Sequence, residues 1–285
     1  MKTLKSTFRH VTKKLLGTDR PKQKGVMSYD LADMNNAAQT GDLKELKRFF
    51  EKYEMDSILG VTCNIHTGAT WLHAAAREGR TAMMELMLAY GADIERPDGD
   101  GRTPLHTAAA EGQKEFALFL IGRGAKIDAV DNLQRQPLAS AAREGHRDCV
   151  EIFLDKGAEV SAKDRDGATA FHHAIGHVAT ARLLLKRGAD IDERSARDRT
   201  ALSYACGAAI EKREQTVAFL LEQGARTDIV DAGGFTALSL AEQNGYTEVA
   251  AMIKKAAAEQ HENRFGLKRD MTVRRIRYKA MERQA

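Results

Sequence analysis

The sequence predicts an all-α repeat solenoid of about seven two-helix units joined by turn-rich tips. Three observations lead there. One short motif recurs at near-constant spacing, a glycine closes each apolar helical stretch, and 43% of the residues are hydrophobic without one run of 18. Such a chain buries a core but offers no helix long enough to cross a membrane.

The motif starts as "TWLHAAAREG" at Thr70, "TPLHTAAAEG" at Thr103 and "QPLASAAREG" at Gln136. It returns as "TAFHHAIG" at Thr169, "TALSYAC" at Thr200 and "TALSLAEQNG" at Thr236, so the intervals are 33, 33, 33, 31 and 36 residues. Threonine suits a helix N-cap, and Pro104 and Pro137 occupy the first helical position, where a missing N–H costs nothing. Small residues (Ala74–Ala76, Ala108–Ala110, Ala141–Ala142) allow close helix approach. Gly79, Gly112, Gly145 and Gly245 end that first helix in a left-handed conformation. A second helix is expected to supply core through Met84, Leu86, Met87 and Leu88, and in the next unit Phe116, Leu118, Phe119 and Leu120. Gly91, Gly124, Gly157, Gly188 and Gly224 close it before an Asp-rich turn.

The T-P-L-H-x-A pattern at 33 residues resembles the ankyrin repeat. The resemblance implies helix–turn–helix units with β-hairpin or turn tips, and protein binding through tips and a concave face. It also implies that His73, His106 and His172 hydrogen-bond neighbouring backbone and do not catalyse. A degenerate copy, "NNAAQTGDLKELKRFF" at 35–50, precedes the six, and "GYTEVAAMIKKAAAEQ" suits the opposite cap. The solenoid is therefore expected over 30–260, with a basic N-terminal extension at 1–29 and a basic tail at 261–285.

No sequence signature of an enzyme stands out, and no catalytic, cofactor or metal residue is expected. His172, His173 and His177 cluster, but two histidines four apart make at best a weak metal site. Three widely spaced cysteines without a C-x-x-C pair fit a reducing compartment, so a cytoplasmic location is expected, with a mitochondrial one as the alternative.

On the tips, Arg102, Arg135 and Arg199 occupy equivalent positions and read as a partner-binding ridge thickened by Arg165 and Arg197. Arg77 and Arg143 join them at the ends of first helices, and Leu133 and Phe235 are apolar where solvent is expected. The competing reading pairs the arginines with Asp98, Asp100, Asp131 and Asp164 of the tips themselves. The repeat frame loses two residues near Gly176 and gains three at 207–213.

The ends are basic. Residues 1–25 carry a net +7 and 254–285 a net +6 in a chain of net +4, which leaves 26–253 at −9. Leu4, Phe8, Val11 and Leu15 share a helical face, suited to a partner groove, an anionic membrane surface or a transit peptide. The C-terminal tail, with Arg274, Arg275 and Arg277, interleaves aromatics in a manner open to nucleic acid. The expected function is non-catalytic protein binding as an adaptor, scaffold or assembly subunit. Two alternatives are a nucleoprotein subunit using the tails and a membrane-surface adaptor.

Overall fold

The computed structural model describes residues 33, 36–38, 40–53, 62–64, 68–207 and 212–262. They fall in two compact units, 1–159 and 160–285.

In the first unit, helical residues 36–38 and 40 lead into α1 (Leu43–Lys52). Asp42 starts α1 by accepting the Lys44 and Glu45 N–H groups at 3.0 and 3.1 Å, which answers donors that have no intrahelical partner. Its apolar stripe, Leu46, Phe49 and Phe50, is buried at the spacing of one helix face. A short hairpin follows, β1 (Thr62–Asn64) antiparallel to β2 (Ala69–Thr70). Three helix pairs complete the unit: α2 (Trp71–Arg77) with α3 (Thr81–Ala89), α4 (Pro104–Ala110) with α5 (Lys114–Gly122), and α6 (Pro137–Arg143) with α7 (Arg147–Asp155). The first helix of one pair packs on the first helix of the next, α4 lying between α2 and α6. Their alanines make this approach close: Ala75, Ala76, Ala108, Ala109, Ala141 and Ala142 are sealed from solvent.

The second unit repeats the plan with α8 (Ala170–His173) and α9 (Val178–Lys186), α10 (Ala201–Gly207) and α11 (Arg213–Glu222), then α12 (Ala237–Gln243) and a long helix α13 at 247–262. The shortened repeat loses its residues from α8, four residues long against seven in α10 and α12. The lengthened one places its extra residues between α10 and α11, where Lys212 takes a left-handed φ of 57°. Helix α13 runs two residues past the expected solenoid limit of 260.

The second helices bury a narrower stripe than composition suggests. Met83, Met84 and Met87 are buried in α3, whereas Leu86 and Leu88 are half-buried; Phe116, Ala117 and Leu120 are buried in α5, whereas Leu118 is exposed. The i, i+1, i+4 set faces the first helices, and an apolar residue between turns falls on the outer face. Burying each large side chain contributes about 1.5–3 kcal/mol. A second row of bonds ties successive pairs together: Arg80 donates to the Ala38 carbonyl at 2.6 Å, Gln113 to Arg77 at 2.9 Å, and His146 Nε2 to Ala110 at 2.9 Å.

The motif histidines do what the resemblance implies. His106 Nδ1 accepts the Thr103 N–H at 3.1 Å and faces the Thr103 hydroxyl at 2.9 Å, while Nε2 lies 2.9 Å from the Arg135 carbonyl. An N–H on one side and a carbonyl on the other assign the neutral tautomer with its proton on Nε2. His73 repeats this with Thr70 and the Arg102 carbonyl. His172 shares its Nε2 proton between the carbonyls of Glu193 at 3.0 Å and Arg199 at 3.3 Å. Burial lowers the pKa of all three imidazoles, more than the carbonyl bonds raise it. The unfolded chain therefore binds protons first as pH falls through about 6.5, so this stability is complete above that value and lost below it, by up to about 1.4 kcal/mol per pH unit and histidine. The melting temperature is expected to fall between pH 7 and pH 5, and His106→Asn to melt lower at pH 7 but with a shallower pH slope. A slope unchanged by the substitution would remove His106 from this account.

Candidate binding surface on the repeat tips

Each tip is a five-residue turn whose backbone is closed twice. In the tip at 98–102, the Asp98 N–H donates to the Arg102 carbonyl at 2.9 Å and the Gly101 N–H to the Asp98 carbonyl at 3.0 Å. The same pair of bonds closes 131–135, 164–168, 195–199 and 231–235. The fourth residue is left-handed in all five, with φ of 78° at Gly101, 60° at Gln134, 69° at Gly167, 54° at Asp198 and 81° at Gly234. At Gly101 a side chain is also blocked by Asn132 of the adjoining tip, and at Gly167 by the Ala196 nitrogen 2.5 Å from a built Cβ.

A buried carboxylate holds the turn open on its inner side. Asp131 Oδ1 accepts the Leu133 and Arg135 N–H groups at 2.8 and 2.9 Å, and Oδ2 takes the Arg135 Nε–H at 2.8 Å. Asp98 makes the same three bonds to Asp100, Arg102 and the Arg102 guanidinium. Asp164 accepts from Asp166 and Ala168, with His173 Nε2 at 2.7 Å on its second oxygen. Asp231 accepts from Gly233 and Phe235, and Arg199 reaches it from the preceding tip at 3.1 Å. Burial pushes the Asp131 carboxyl up, but the Arg135 hydrogen bonds outweigh it and hold the group below the usual carboxylate range. The same balance lowers Asp164 through His173 and Asp231 through the Phe235 N–H and Arg199.

One tip departs from the pattern. Ser195 stands where the other four have aspartate, and its buried hydroxyl has no partner among the described residues. This substitution explains why Arg199 turns outward to Asp231, since its own tip offers no carboxylate. The rerouting is visible in the sequence to a reader who aligns Ser195 with Asp98, Asp131, Asp164 and Asp231.

These bonds settle where the expected contact residues stand. Arg102, Arg135 and Arg199 are ion-paired within their own units, Arg102 to both Asp98 and Asp100 at 3.0 Å. Each guanidinium meets a tip carboxylate, Arg102 and Arg135 within their own tips, as the competing reading of the sequence pairs them, and Arg199 on Asp231 of the following tip. Arg77 and Arg143 are exposed and hold loose pairs with Glu111 at 3.6 Å and Glu144 at 3.8 Å, of the kind that contributes little. Arg165 and Arg197 are exposed on the tips. Leu133 and Phe235 are exposed, and the sequence reading missed two neighbours, Val130 and Val230, which flank the same turns. Leu4, Phe8, Val11, Leu15, Arg274, Arg275 and Arg277 lie outside the described residues.

The sequence pattern of the ankyrin repeats matches residues 34–131 and 124–195, more than half of the chain. The chain belongs to the ankyrin-repeat family. Over 82 residues this ankyrin chain is also 36% identical to the ARF GTPase-activating protein GIT1 of Homo sapiens, and equally to those of Mus musculus and Rattus norvegicus. That stretch is 27% of this chain, which covers only 10% of the length of those relatives.

Beyond the tips the described ankyrin repeats hold little reactive chemistry. Both nitrogens of His172 are engaged, His173 is bound to Asp164, and no group of three His, Cys, Asp or Glu side chains among the described residues stands ready for a metal ion. Burial pushes the Cys149 and Cys206 thiols up to about 11 and about 12, so neither is a thiolate at neutral pH. No described helix is long and apolar enough to cross a membrane.

Two substitutions test the carboxylate account. Asp131→Ala is expected to cost about 3 kcal/mol, because it strands two N–H groups and a guanidinium. Ser195→Asp is expected to stabilise by about 1 kcal/mol, raising the melting temperature by about 2–4 °C. Thermal unfolding of both variants decides it; a Ser195→Asp protein that melts lower would mean the tip at 195–199 has no place for the carboxylate that the others hold.

Proposed function

We infer that the chain is a non-catalytic protein-binding module that contacts its partner with the outer rim of its tips. One observation carries the reading. Val130 at 45% and Leu133 at 43% exposure lie on one tip, Val230 at 45% and Phe235 at 38% on another, on turns whose backbone is fixed from within. Exposed apolar side chains of this size mark contact sites, and a turn already rigid loses little entropy when a partner orders against it. Exposed arginines stand in each unit, Arg77 and Arg143 at the ends of first helices in the first and Arg165 and Arg197 on tips of the second, and suit carboxylate-bearing partners. The match to an ARF GTPase-activating protein supports a shared interaction element, and its named activity is not carried over, because only 10% of that protein is matched.

Affinity capture of partners tests the reading with two variants of similar exposure. Leu133→Glu on the tip is expected to lower partner recovery about tenfold or more, equivalent to about 1.4 kcal/mol. Leu118→Glu on the outer face of α5 is expected to leave recovery unchanged, with both variants melting like the parent chain. Equal loss in both, or in neither, rejects the tips as the contact surface.

A further inference from the structure

Tips in the second unit are stitched side by side. The Ala196 N–H donates to the Asp166 carbonyl at 2.8 Å, and the Ala232 N–H to the Arg197 carbonyl at 2.9 Å. In both bonds the second residue of one tip donates to the third residue of the tip before it, as Asn132 does to Asp100 in the first unit at 2.9 Å. The third residue of the tip at 231–235 is Gly233, and no described residue donates to its carbonyl. A Cβ built on the neighbouring Gly234 meets nothing within 4 Å, whereas one on Gly233 meets the Phe235 ring at 3.0 Å, so the tip is open at Gly234 and Phe235 lies against Gly233.

The side chains beside this carbonyl are uncovered as well. At the second position of the first helix, Phe171 and Leu202 are each 1% exposed, whereas Leu238 in the same frame of α12 is only half-buried. Val230 and Phe235 are exposed next to it. Helix α13 closes a different place: the Gln260 amide donates to the Ala225 carbonyl at 2.8 Å and accepts from the Thr227 hydroxyl at 3.0 Å. From Ala232 to Ser239 the segment carries no ionisable side chain, and Asp231 at the base of the tip is buried and paired with Arg199, so the segment itself offers a charged ligand no partner.

We propose that the tip at 231–235, with the start of α12, is a docking edge for an extended, uncharged segment of a partner protein. The interface continues one that the array already uses. The partner's backbone N–H donates to the Gly233 carbonyl, in register with the two tip-to-tip bonds before it, and its apolar side chains cover Val230, Phe235 and Leu238. Backbone bonds supply the strand-addition part of the affinity and the apolar contacts supply selection. This inference rests on the protein-binding reading above but uses Gly233 and Leu238, which that reading does not need.

The test places the photo-crosslinking residue benzoylphenylalanine at Phe235 of the full chain, and mass spectrometry locates the cross-link formed in native extract. A single stretch of another protein is expected. The synthetic peptide of that stretch should bind the purified chain, and bind at least tenfold more weakly to Leu238→Asp, checked by its melting temperature to be folded. N-methylation of one backbone amide of the peptide, which removes one N–H donor, should weaken it to a similar degree on the unaltered chain. Cross-links to residues 263–285, to a second copy of the chain or to no protein overturn the proposal. So does a peptide whose binding survives every single N-methylation. Loss of capture by Leu133→Glu without any such cross-link would leave the tip reading standing and this edge rejected.

Discussion

Four of the five described tips are built on a carboxylate held at their base, at Asp98, Asp131, Asp164 and Asp231. A five-residue turn with a left-handed fourth residue leaves N–H groups facing inward, where no other backbone can answer them. Aspartate is the shortest side chain that returns two oxygens to that place, one for the N–H pair and one for a cation. In these tips the charged carboxylate answers the inward N–H groups best, and the lowered pKa of Asp131, Asp164 and Asp231 agrees with that. The donor on the second oxygen varies, with arginine from the same tip, arginine from the preceding tip or a histidine, because the geometry demands a donor and not a particular residue.

The motif histidine carries the same logic across repeats. Its ring is rigid and about long enough to span from the start of one first helix to the carbonyl that ends the following tip, 29 residues on for His73 and His106. Its neutrality is imposed by burial, while the tip carboxylate is kept ionised by its partners. Where serine replaces it, at Ser203 and Ser239, the bond contracts to the local threonine: the Ser239 N–H donates to the Thr236 hydroxyl at 3.2 Å, and the Thr236 N–H to the Ser239 hydroxyl at 2.9 Å. The short serine side chain has no reach to spare for a neighbour.

How much of this the sequence displays follows from the range of each interaction. Helix pairs, their start points and the glycine stops are local, and a 33-residue recurrence exposes them; even the two frame shifts fall where length alone puts them. The arginines were legible as equivalent positions, yet their use was not, since Arg102 and Arg135 meet carboxylates four residues away while Arg199 meets one thirty-two residues on. Choosing between ligand and lattice requires knowing that Asp98, Asp131 and Asp231 are buried, and burial is a property of the stack. Leu118 fails as a core residue for the same reason: periodicity places it on α5, but only packing shows which face α5 turns inward.

A linear array has a consequence that compact folds lack. Within each unit, neighbouring repeats complete one another by packing first helices together, donating an N–H to a tip carbonyl and returning an imidazole or an amide across the gap. Stability is therefore a sum of junctions, and it rises when a defective junction such as the one at Ser195 is repaired. Unused bonding capacity collects where a junction has no second half. At the tip 231–235 and the start of α12 that capacity is a half-buried leucine and a carbonyl with no donor among the described residues, beside an exposed phenylalanine. The groups that hold the stack together and those proposed to meet a partner are of one kind, and which of the two a given group does follows from its place in the stack.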